Sequence, residues 1–364
     1  MISFSPTEDQ KMMISLVKQF AVDEMRKVYR QCDETGQIPS EIVNTAWDMG
    51  LISSCIPSVL GGLGEQGSAV TGALIAEELA WGDLAMTMHM LCPYLAVYPV
   101  VEMGTDEQAA KFLPPFCETR YRTGTGALIE PRFDFDPFSL TTTATKNNGH
   151  YVLNGRKCFV PLASDADPFV VYANESGKTQ AFLVERGTPG LEIGEREKNM
   201  GIKALATYEV NLDGCRVPAG NRLGGERGCD FGRLLNRSKV ALTAMAVGVG
   251  KAAFEYSRDY AKTRIAFGEP IASRQAIAFM LADMAIEIDA TRFMNWEAAW
   301  KLDRKEEATK EASLTKVYAD DMAVNVADRA VQILGGHGYI REHPVELWLR
   351  NARGFATFDG MAMV

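Results

Sequence analysis

The first third of the chain carries apolar residues three and four positions apart, which is the spacing of one helix face. The first such stripe follows Thr7, a good N-cap residue, and consists of Met12, Met13, Leu16, Val17 and Phe20. A second predicted helix takes Ser40 as its N-cap and ends at Gly50. The pattern predicts two more helices over about residues 68–82 and 83–103, and the motif MGTDEQ then gives another capped start.

Between these predicted helices lies a glycine-dense stretch, PSVLGGLGEQG, at residues 57–67. Glycine-rich loops bind phosphate when they follow a strand and open a helix, but no strand pattern precedes this one. The stretch is therefore predicted to be a turn.

The pattern changes at residue 121 to short runs rich in Val, Phe, Tyr and Leu. The runs are HYVLNGRKCFVPLA, PFVVYA, TQAFLVER, LEIGER and YEVNLDGCRVP. Asn-Gly, Ser-Gly, Pro-Gly and Asp-Gly pairs separate them, and such pairs favour the tight turns between strands. The region is predicted to be a compact β domain of about seven strands.

Long amphipathic stretches return after residue 232 and are joined by short loops. Long helices with short connections are typical of an up-and-down bundle. The predicted fold is α+β, with an N-terminal helical domain (residues 1–120), a central β-barrel or sandwich domain (121–232) and a C-terminal four-helix bundle (233–364).

Composition and charge narrow the function classes. The chain has 364 residues, of which 47% are hydrophobic and 23% charged, as in ordinary globular proteins. Its formal charge is −9, and Lys and Arg do not cluster, so a nucleic-acid partner is not expected.

Cysteine usage and the apolar runs indicate the compartment. The seven cysteines are scattered and form no CxxC pair, which favours a reducing cytoplasm over a disulfide framework or a zinc site. The opening MISFSPTEDQ lacks the features of a secretory signal, and the longest apolar run, VALTAMAVGVG, is too short to span a bilayer. We expect a cytoplasmic protein with no membrane segment.

Two glycine-containing motifs lie in the predicted C-terminal bundle, one after its first long helix and one after its third. They are RIAFGEPIASRQ, Arg264 to Gln275, and QILGGHGYIREHPVELWLRN, Gln332 to Asn351. Both motifs, inside a helix–β–helix order that covers essentially the whole chain, resemble those of the acyl-CoA dehydrogenase family. Leu347 departs from the pattern, because a Lys or Arg is usual there.

The resemblance implies an FAD site with the cofactor diphosphate at the bundle. The implied cofactor-binding residues here are Arg264, Phe267, Gln275, Gln332, Gly335 and Gly336. Arg264 offers a planar fork for phosphate oxygens, and the glycines let backbone N–H groups approach a ligand. In the family these groups come from the neighbouring subunit, which implies at least a dimer and usually a dimer of dimers, that is, a homotetramer, with a hetero-oligomer as the alternative. The alternative is that Arg264 caps a helix and the glycines only turn the chain.

The resemblance also implies a reaction and a base. In the family a carboxylate takes the α-proton of an acyl-CoA thioester, the flavin takes the β-hydrogen as hydride, and an electron-transfer flavoprotein is the expected electron acceptor. Asp359, before Gly360, occupies the position where the family carries a Glu, so its arm is one methylene shorter. Either the substrate sits closer or Asp359 is a weakened base, and the alternative is an acid in a terminal turn. Family members polarise the thioester carbonyl with a flavin hydroxyl and the backbone N–H of the catalytic acid.

Further residues are implied by position to contact substrate. They are Asn236, Lys239, His89, Phe135, Asp136 and Gly360. Some family branches carry the base on a bundle helix, but the matching position here is Ser238, so that alternative base is absent. A buried histidine such as His89 is also commonly a hydrogen-bonded core residue.

The chain departs from the family where the flavin ring is contacted. In IEPRFDFDP, Ile129, after Leu128, replaces a hydroxyl residue. In KCFVP, Phe159 can still stack on the ring, but Pro161 offers neither hydroxyl nor N–H. Three readings stay open: a cyclic, branched or otherwise unusual acyl group, a weakly catalytic or non-catalytic subunit of a hetero-oligomer, or a dehydrogenase of acyl groups on a carrier protein.

Overall fold

The first region of the chain is helical. The computed structural model describes residues 5–64 and 67–364. The helices are α1 (Glu8–Phe20), α2 (Arg26–Thr35), α3 (Ser40–Asp48), α4 (Leu51–Ser54), α5 (Ala69–Gly82), α6 (Leu84–Met90), α7 (Tyr94–Met103) and α8 (Asp106–Phe112). Two residues of the glycine-dense stretch, Glu65 and Gln66, lie outside the described residues.

A side-chain cap explains where α1 begins, whereas α3 begins without one. Thr7 Oγ1 accepts the Gln10 N–H at 3.2 Å and the Gln10 side chain accepts the Thr7 N–H at 2.9 Å, which confirms the predicted start of α1. The prediction that Ser40 is an N-cap is wrong. Ser40 is the first helical residue, and Pro39 is the N-cap with no side-chain bond. Pro39 instead starts α3 with an extended backbone at φ −57° and ψ 132°.

The stretch predicted as one helix over residues 83–103 is two helices, α6 and α7. The break falls at residues 91–93 and includes Pro93, which has no N–H to continue the helix ladder. Among the described residues, no single helix is long and apolar enough to cross a membrane, and α6 with α7 meets that test only as a pair bent by 45°.

The central region forms one seven-stranded mixed sheet. Its strands are β1 (Thr125–Ala127), β2 (Thr143–Asn147), β3 (His150–Pro161), β4 (Phe169–Glu175), β5 (Lys178–Val184), β6 (Leu191–Arg196) and β7 (Thr207–Pro218). The order is β1-β4-β2-β3-β7-β6, and β5 pairs with β4. β4 is parallel to β1 and β2, and the other pairs are antiparallel.

The sheet is buried on both faces at β4. Along β4, Val170 and Tyr172 belong to the main core that the helices share, whereas Phe169 and Val171 belong to a second core within the β domain. A strand buried on both faces reads as a continuous apolar run, which is why PFVVYA shows no alternation.

The last region is helical and packs against the first. It contains α9 (Phe231–Thr263), α10 (Gln275–Asp303), α11 (Thr309–Leu334), α12 (Gly336–Tyr339) and α13 (Val345–Ala352), with the hairpin β8 (Ile265–Ala266) and β9 (Glu269–Pro270) between α9 and α10. α5 of the first region packs on α9 and α10. After α13 and a 3-10 turn, residues 361–364 enter the main core.

Candidate active site

The turn that carries Asp359 lies where the sheet meets the bundle. The Gly360 N–H donates to Ser238 Oγ on α9 at 3.0 Å. Gly360 has φ +76°, and a Cβ there would stand 2.5 Å from Leu128 Cδ2 in the β domain. Glycine is therefore required at 360 both for the backbone conformation and for the contact with Leu128.

The backbone N–H and the carboxylate of Asp359 are both accessible to a ligand. Within the described chain its backbone N–H donates to no acceptor, whereas the next N–H, at Gly360, is held by Ser238. The Asp359 side chain is 35% exposed, and Lys316 Nζ lies 3.6 Å from Oδ1. A free N–H and a carboxylate on one residue can face one ligand.

Two lysines from different helices stand near this carboxylate. Lys316 is nearly buried and is fixed by both Asp320 oxygens at 2.8 Å and by the Phe355 carbonyl at 2.9 Å. Lys239 donates to Ser313 Oγ at 2.9 Å. Burial lowers the pKa of Lys239, and the negative charge of Asp359 offsets part of that shift. On its bundle side Asp359 therefore faces two ammonium groups, of which that of Lys316 is also paired with Asp320.

Asn236 faces the same side of α9 as Lys239, since the two are three residues apart. Its amide donates to Thr309 Oγ1 at 2.9 Å, at the start of α11. The predicted substrate residues Asn236, Lys239 and Gly360 are therefore brought together between α9, α11 and the Asp359 turn.

The β-domain wall of the site is held from behind by a buried ion pair. Lys157, fully buried, donates to the Leu128 carbonyl at 3.0 Å and to Glu130 Oε1 at 3.1 Å. Glu130 also accepts bonds from Thr141 and Thr142. Burial alone would raise the pKa of Glu130, but Lys157 and these donors outweigh it and bring the pKa to about 2. Burial lowers the pKa of Lys157 to about 8, with Glu130 opposing that shift.

Phe159 projects from an irregularity in β3. The register with β7 shifts between Lys157 and Val160, and Phe159 has φ +52°, a strained value for an aromatic residue. Its N–H donates to Glu197 Oε1 at 3.1 Å, which fixes the distortion. Next to it, the Cys158 N–H donates to the Ile129 carbonyl at 2.9 Å. Leu128, Ile129, Phe159 and Pro161 thus belong to one wall, joined by β1 and β3.

The predicted diphosphate residues gather in a separate cavity of about 490 Å³ at the far end of α9. Arg264, Gly335 and Gly336 line it. Gly335 has φ +58°, which favours glycine, and its N–H donates to the Gln332 carbonyl at 3.1 Å. Phe267 lies in the adjoining hairpin and is fully exposed, and Gln275 is the first residue of α10.

Three other predicted site residues are placed differently. Asp136 is exposed, and its Oδ1 accepts the Phe138 N–H at 2.9 Å, so the carboxylate closes its own turn. Phe135 is partly buried against the main core. His89 lines another cavity of about 640 Å³, stacked on Tyr121 at 5.7 Å, and none of the other predicted site residues lines that cavity. Burial lowers the pKa of His89 to about 4, as in a core histidine.

Sequence reasoning did not find Lys316, the two bonding roles of Lys157, or the hydroxyl of Ser238 as a partner of Gly360. Each acts through a contact between residues far apart in the chain. The one available signal was a lysine inside an otherwise apolar pattern, which in β3 marks a charge that the fold must pair.

These residues fit the cofactor that the sequence resemblance implies. A guanidinium and two exposed glycines in one cavity suit an anionic diphosphate. The wall of Leu128, Ile129 and Phe159 is an apolar platform beside Asp359, as a flavin ring requires.

Comparison with known proteins agrees along the whole chain. Three family models match: acyl-CoA dehydrogenase, N-terminal domain (residues 7–120), middle domain (126–215) and C-terminal domain (231–364). An acyl-CoA dehydrogenase of Bacillus subtilis (strain 168) is 35% identical over 363 residues, covering 97% of this chain and 95% of its own. The caffeyl-CoA reductase-Etf complex subunit CarC of Acetobacterium woodii is 34% identical, covering 98% and 96%.

Solved structures give the same result. Butyryl-CoA dehydrogenase from Megasphaera elsdenii superposes with a TM-score of 0.90 at 32% identity, covering 99% of this chain and 96% of that one. The FAD complex of PigA has a TM-score of 0.90 at 26% identity with the same coverage. The prolyl acyl carrier protein oxidase AnaB has a TM-score of 0.88 at 27% identity, covering 98% and 96%. The chain is an FAD-dependent oxidoreductase and belongs to the acyl-CoA dehydrogenase family.

Proposed function

We propose that this protein removes the α-proton and the β-hydride of an acyl-CoA thioester, with Asp359 as the base. The observation that carries the proposal is the backbone N–H of Asp359, which is unbonded within residues 5–64 and 67–364 and lies beside its partly exposed carboxylate, while the following N–H is occupied by Ser238. That pair of groups can polarise a carbonyl oxygen and accept the neighbouring proton.

Each part of the site has a role in this reaction. The Asp359 N–H donates to the thioester oxygen, which makes the α-proton more acidic, and the carboxylate accepts that proton. Leu128, Ile129 and Phe159 would position the isoalloxazine ring. Arg264 with the glycines at 335 and 336, at the far end of α9, would hold the diphosphate of an FAD whose ring lies in a second copy of the chain. FAD, when bound, supplies the two-electron chemistry by accepting the β-hydrogen as hydride.

The substrate has to compete with Lys316 for the carboxylate. Lys316 Nζ is 3.6 Å from Asp359 Oδ1, and Asp359 has a shorter arm than Glu. The acyl α-carbon therefore has to sit close to the backbone at 359–360. We propose a cyclic, branched or otherwise unusual acyl group, supported by the altered wall at Ile129 and Pro161.

We further propose two partners. An electron-transfer flavoprotein accepts the electrons, supported by the relatedness to a subunit named for an Etf complex. A second copy of this chain covers the Arg264 cavity, supported by two exposed apolar side chains close to its lining residues in sequence: Phe267, three residues after Arg264, and Tyr339, next to Ile340, are 96% and 88% exposed. A second contact, between α10 helices of different copies, would join two such dimers into a homotetramer. The cytoplasmic location expected from the sequence stays a prediction.

The test is spectroscopic. The purified protein is expected to show the visible absorption band of oxidised flavin, and one member of a panel of straight, branched, cyclic and aromatic acyl-CoA thioesters is expected to bleach it without added oxygen. A flavin-loaded protein that no thioester in the panel reduces would contradict the proposed activity.

A second candidate function is favoured by one observation. Pro161 has no N–H, and its carbonyl is already engaged by Thr125 Oγ1 at 2.6 Å, so this residue has no donor to give the ring. A non-catalytic subunit of a hetero-oligomeric dehydrogenase would have the same feature, and it would purify without colour and bind acyl-CoA unchanged. A dehydrogenase of carrier-bound acyl groups is supported by the similarity to AnaB, a prolyl acyl carrier protein oxidase by name, and its flavin would bleach only with the acylated carrier protein.

A further inference from the structure

Four aromatic side chains form a cluster beside the Arg264 cavity. The Tyr260 hydroxyl lies 3.0 Å from His337 Nδ1, and the Tyr256 hydroxyl lies 2.7 Å from His343 Nδ1. The two imidazole rings meet edge to face, with centroids 5.5 Å apart, and Tyr260 also packs on His343 at 5.7 Å. The cluster links α9 to the segment after α11.

The fold fixes His337 in this position. Gly338 follows it, and a Cβ at 338 would lie 2.3 Å from the Val331 carbonyl oxygen, so only glycine allows the turn to pack this closely on α11. His337 is partly buried, and both His337 and Tyr260 line the cavity with Arg264. The ring is therefore held at the cavity wall rather than on open surface.

The bond between the Tyr260 hydroxyl and His337 Nδ1 can run in either direction, according to the tautomer of the imidazole. In the tautomer in which Nδ1 accepts the phenolic proton, the imidazole proton is on Nε2. Among the described residues Nε2 has no protein partner, so in that tautomer it can donate to a ligand. Of the described residues that line the cavity, Arg264 alone carries a permanent charge, so a dianionic ligand needs further donors.

We propose that His337 is a second side-chain donor to the cofactor diphosphate in this cavity, and that Tyr260 is the positioning residue that directs its Nε2–H. The proposal rests on the proposed placement of the FAD diphosphate at Arg264. His343 and Tyr256 form the rear support, since His343 packs on both His337 and Tyr260. A hydrogen bond from a neutral donor to a phosphate oxygen is stronger than one between neutral groups.

Equilibrium binding of FAD tests the proposal without reference to turnover. Protein freed of flavin is titrated with FAD, and flavin fluorescence gives the dissociation constant of each variant. His337→Phe keeps the ring packing and removes both nitrogens, and it is expected to weaken FAD binding about ten-fold. His337→Gln, whose amide can take the place of Nε2–H, is expected to recover most of that loss. Tyr260→Phe is expected to weaken binding about three-fold, because the imidazole is no longer oriented.

The control is His150→Gln, which removes a partly exposed histidine at the start of β3 and is expected to leave the dissociation constant unchanged. Equal dissociation constants for His337→Phe and His337→Gln would overturn the proposal, even if both differ from the wild type, because the donor would then be irrelevant. Unchanged binding in His337→Phe would overturn it as well. A wild-type protein that binds no FAD would instead contradict the proposed function.

Discussion

The amide nitrogen of Gly360 lies 3.0 Å from the hydroxyl oxygen of Ser238, so the turn that carries Asp359 is anchored to the middle of the protein through α9. Ser238 is 1% exposed, and the bond therefore forms away from competing water. Because one N–H of the turn is fixed in this way, the preceding N–H, at Asp359, has a defined direction toward the proposed thioester oxygen.

Replacing Ser238 by Ala should loosen that turn. The Gly360 N–H would be left buried without an acceptor, and we expect a loss of about 1–3 kcal/mol in the free energy of unfolding. A shift of the Asp359 turn by a fraction of an ångström should lower kcat by about ten-fold or more with little change in FAD content. Urea unfolding and single-turnover flavin reduction measure the two effects. Ser164→Ala, which removes a hydroxyl bonded at the surface to Asp165, is the matched control.

Replacing Asp359 by Asn tests the base directly. The amide keeps the size of the side chain and the backbone N–H but cannot accept the α-proton, so we expect flavin reduction to slow by at least about 100-fold while FAD stays bound. Asp359→Glu restores the arm length usual in the family and should retain activity. Stopped-flow bleaching of the flavin band with an accepted acyl-CoA is the measurement. An Asn variant that reduces its flavin at the wild-type rate would remove Asp359 from the mechanism.

Local sequence was sufficient to predict the elements that depend only on residues close together in the chain. The α1 capping box, the glycine turn after α11 and the long helices α9, α10 and α11 follow from residues within a few positions of one another. The start of α3 was misassigned because Ser and Pro are both acceptable near a helix start, and only the backbone of Pro39 distinguishes them.

The site was predictable only where a motif carried it. Asp359, Arg264 and the glycines came from the family resemblance, but the partners of these residues did not. The Lys316–Asp359 contact joins residues 43 positions apart, and the Ser238–Gly360 bond joins residues 122 positions apart. No periodicity encodes such pairs, because tertiary packing of α9, α11 and the last turn creates them.

The buried pair of Lys157 and Glu130 should support both stability and the flavin wall. Lys157→Met removes the ammonium and leaves the Glu130 carboxylate buried without its cation, which is expected to cost about 3–5 kcal/mol. The double change Lys157→Met with Glu130→Gln removes both charges and should recover part of that loss. Chemical unfolding of the single and double variants gives the comparison. Additive losses in the double variant would show that the two side chains do not act as a pair.

The same pair should make the folded protein less stable at low pH. The pKa of Glu130 falls from 4.5 to about 2 on folding, so the folded state binds fewer protons than the unfolded state between those values. The stability that Glu130 contributes is therefore present above about pH 4.5 and is lost as the pH falls toward 2. In the double variant this component should be missing, and the decline of the melting temperature over that range should be shallower than in the wild type.

Asp83 should give the free energy of unfolding a pH dependence opposite to that of Glu130. This carboxyl caps α6 by accepting the Met86 N–H at 2.9 Å, and burial raises its pKa from 3.8 to about 6. The folded state then binds more protons than the unfolded state between those values, so stability falls as the pH rises from about 4 to 6. Asp83→Asn keeps a capping oxygen and carries no charge. It should therefore be more stable than the wild type at pH 7 and gain little at pH 4, and an equal gain at both values would contradict this assignment.

One face of α10 should be the contact between copies of the chain. Phe279 and Ile286 are seven residues apart, hence on one face of the helix, and are 61% and 66% exposed. Apolar side chains of this size that recur on one exposed helix face are typical of an interface. Ile286→Glu places a charge in that contact and is expected to reduce the assembled mass measured by light scattering at micromolar concentration. Met12→Glu changes an apolar residue that is 72% exposed on α1, outside that face, and should leave the mass unchanged. If Ile286→Glu and the wild type have the same mass, this face of α10 is not a contact between copies.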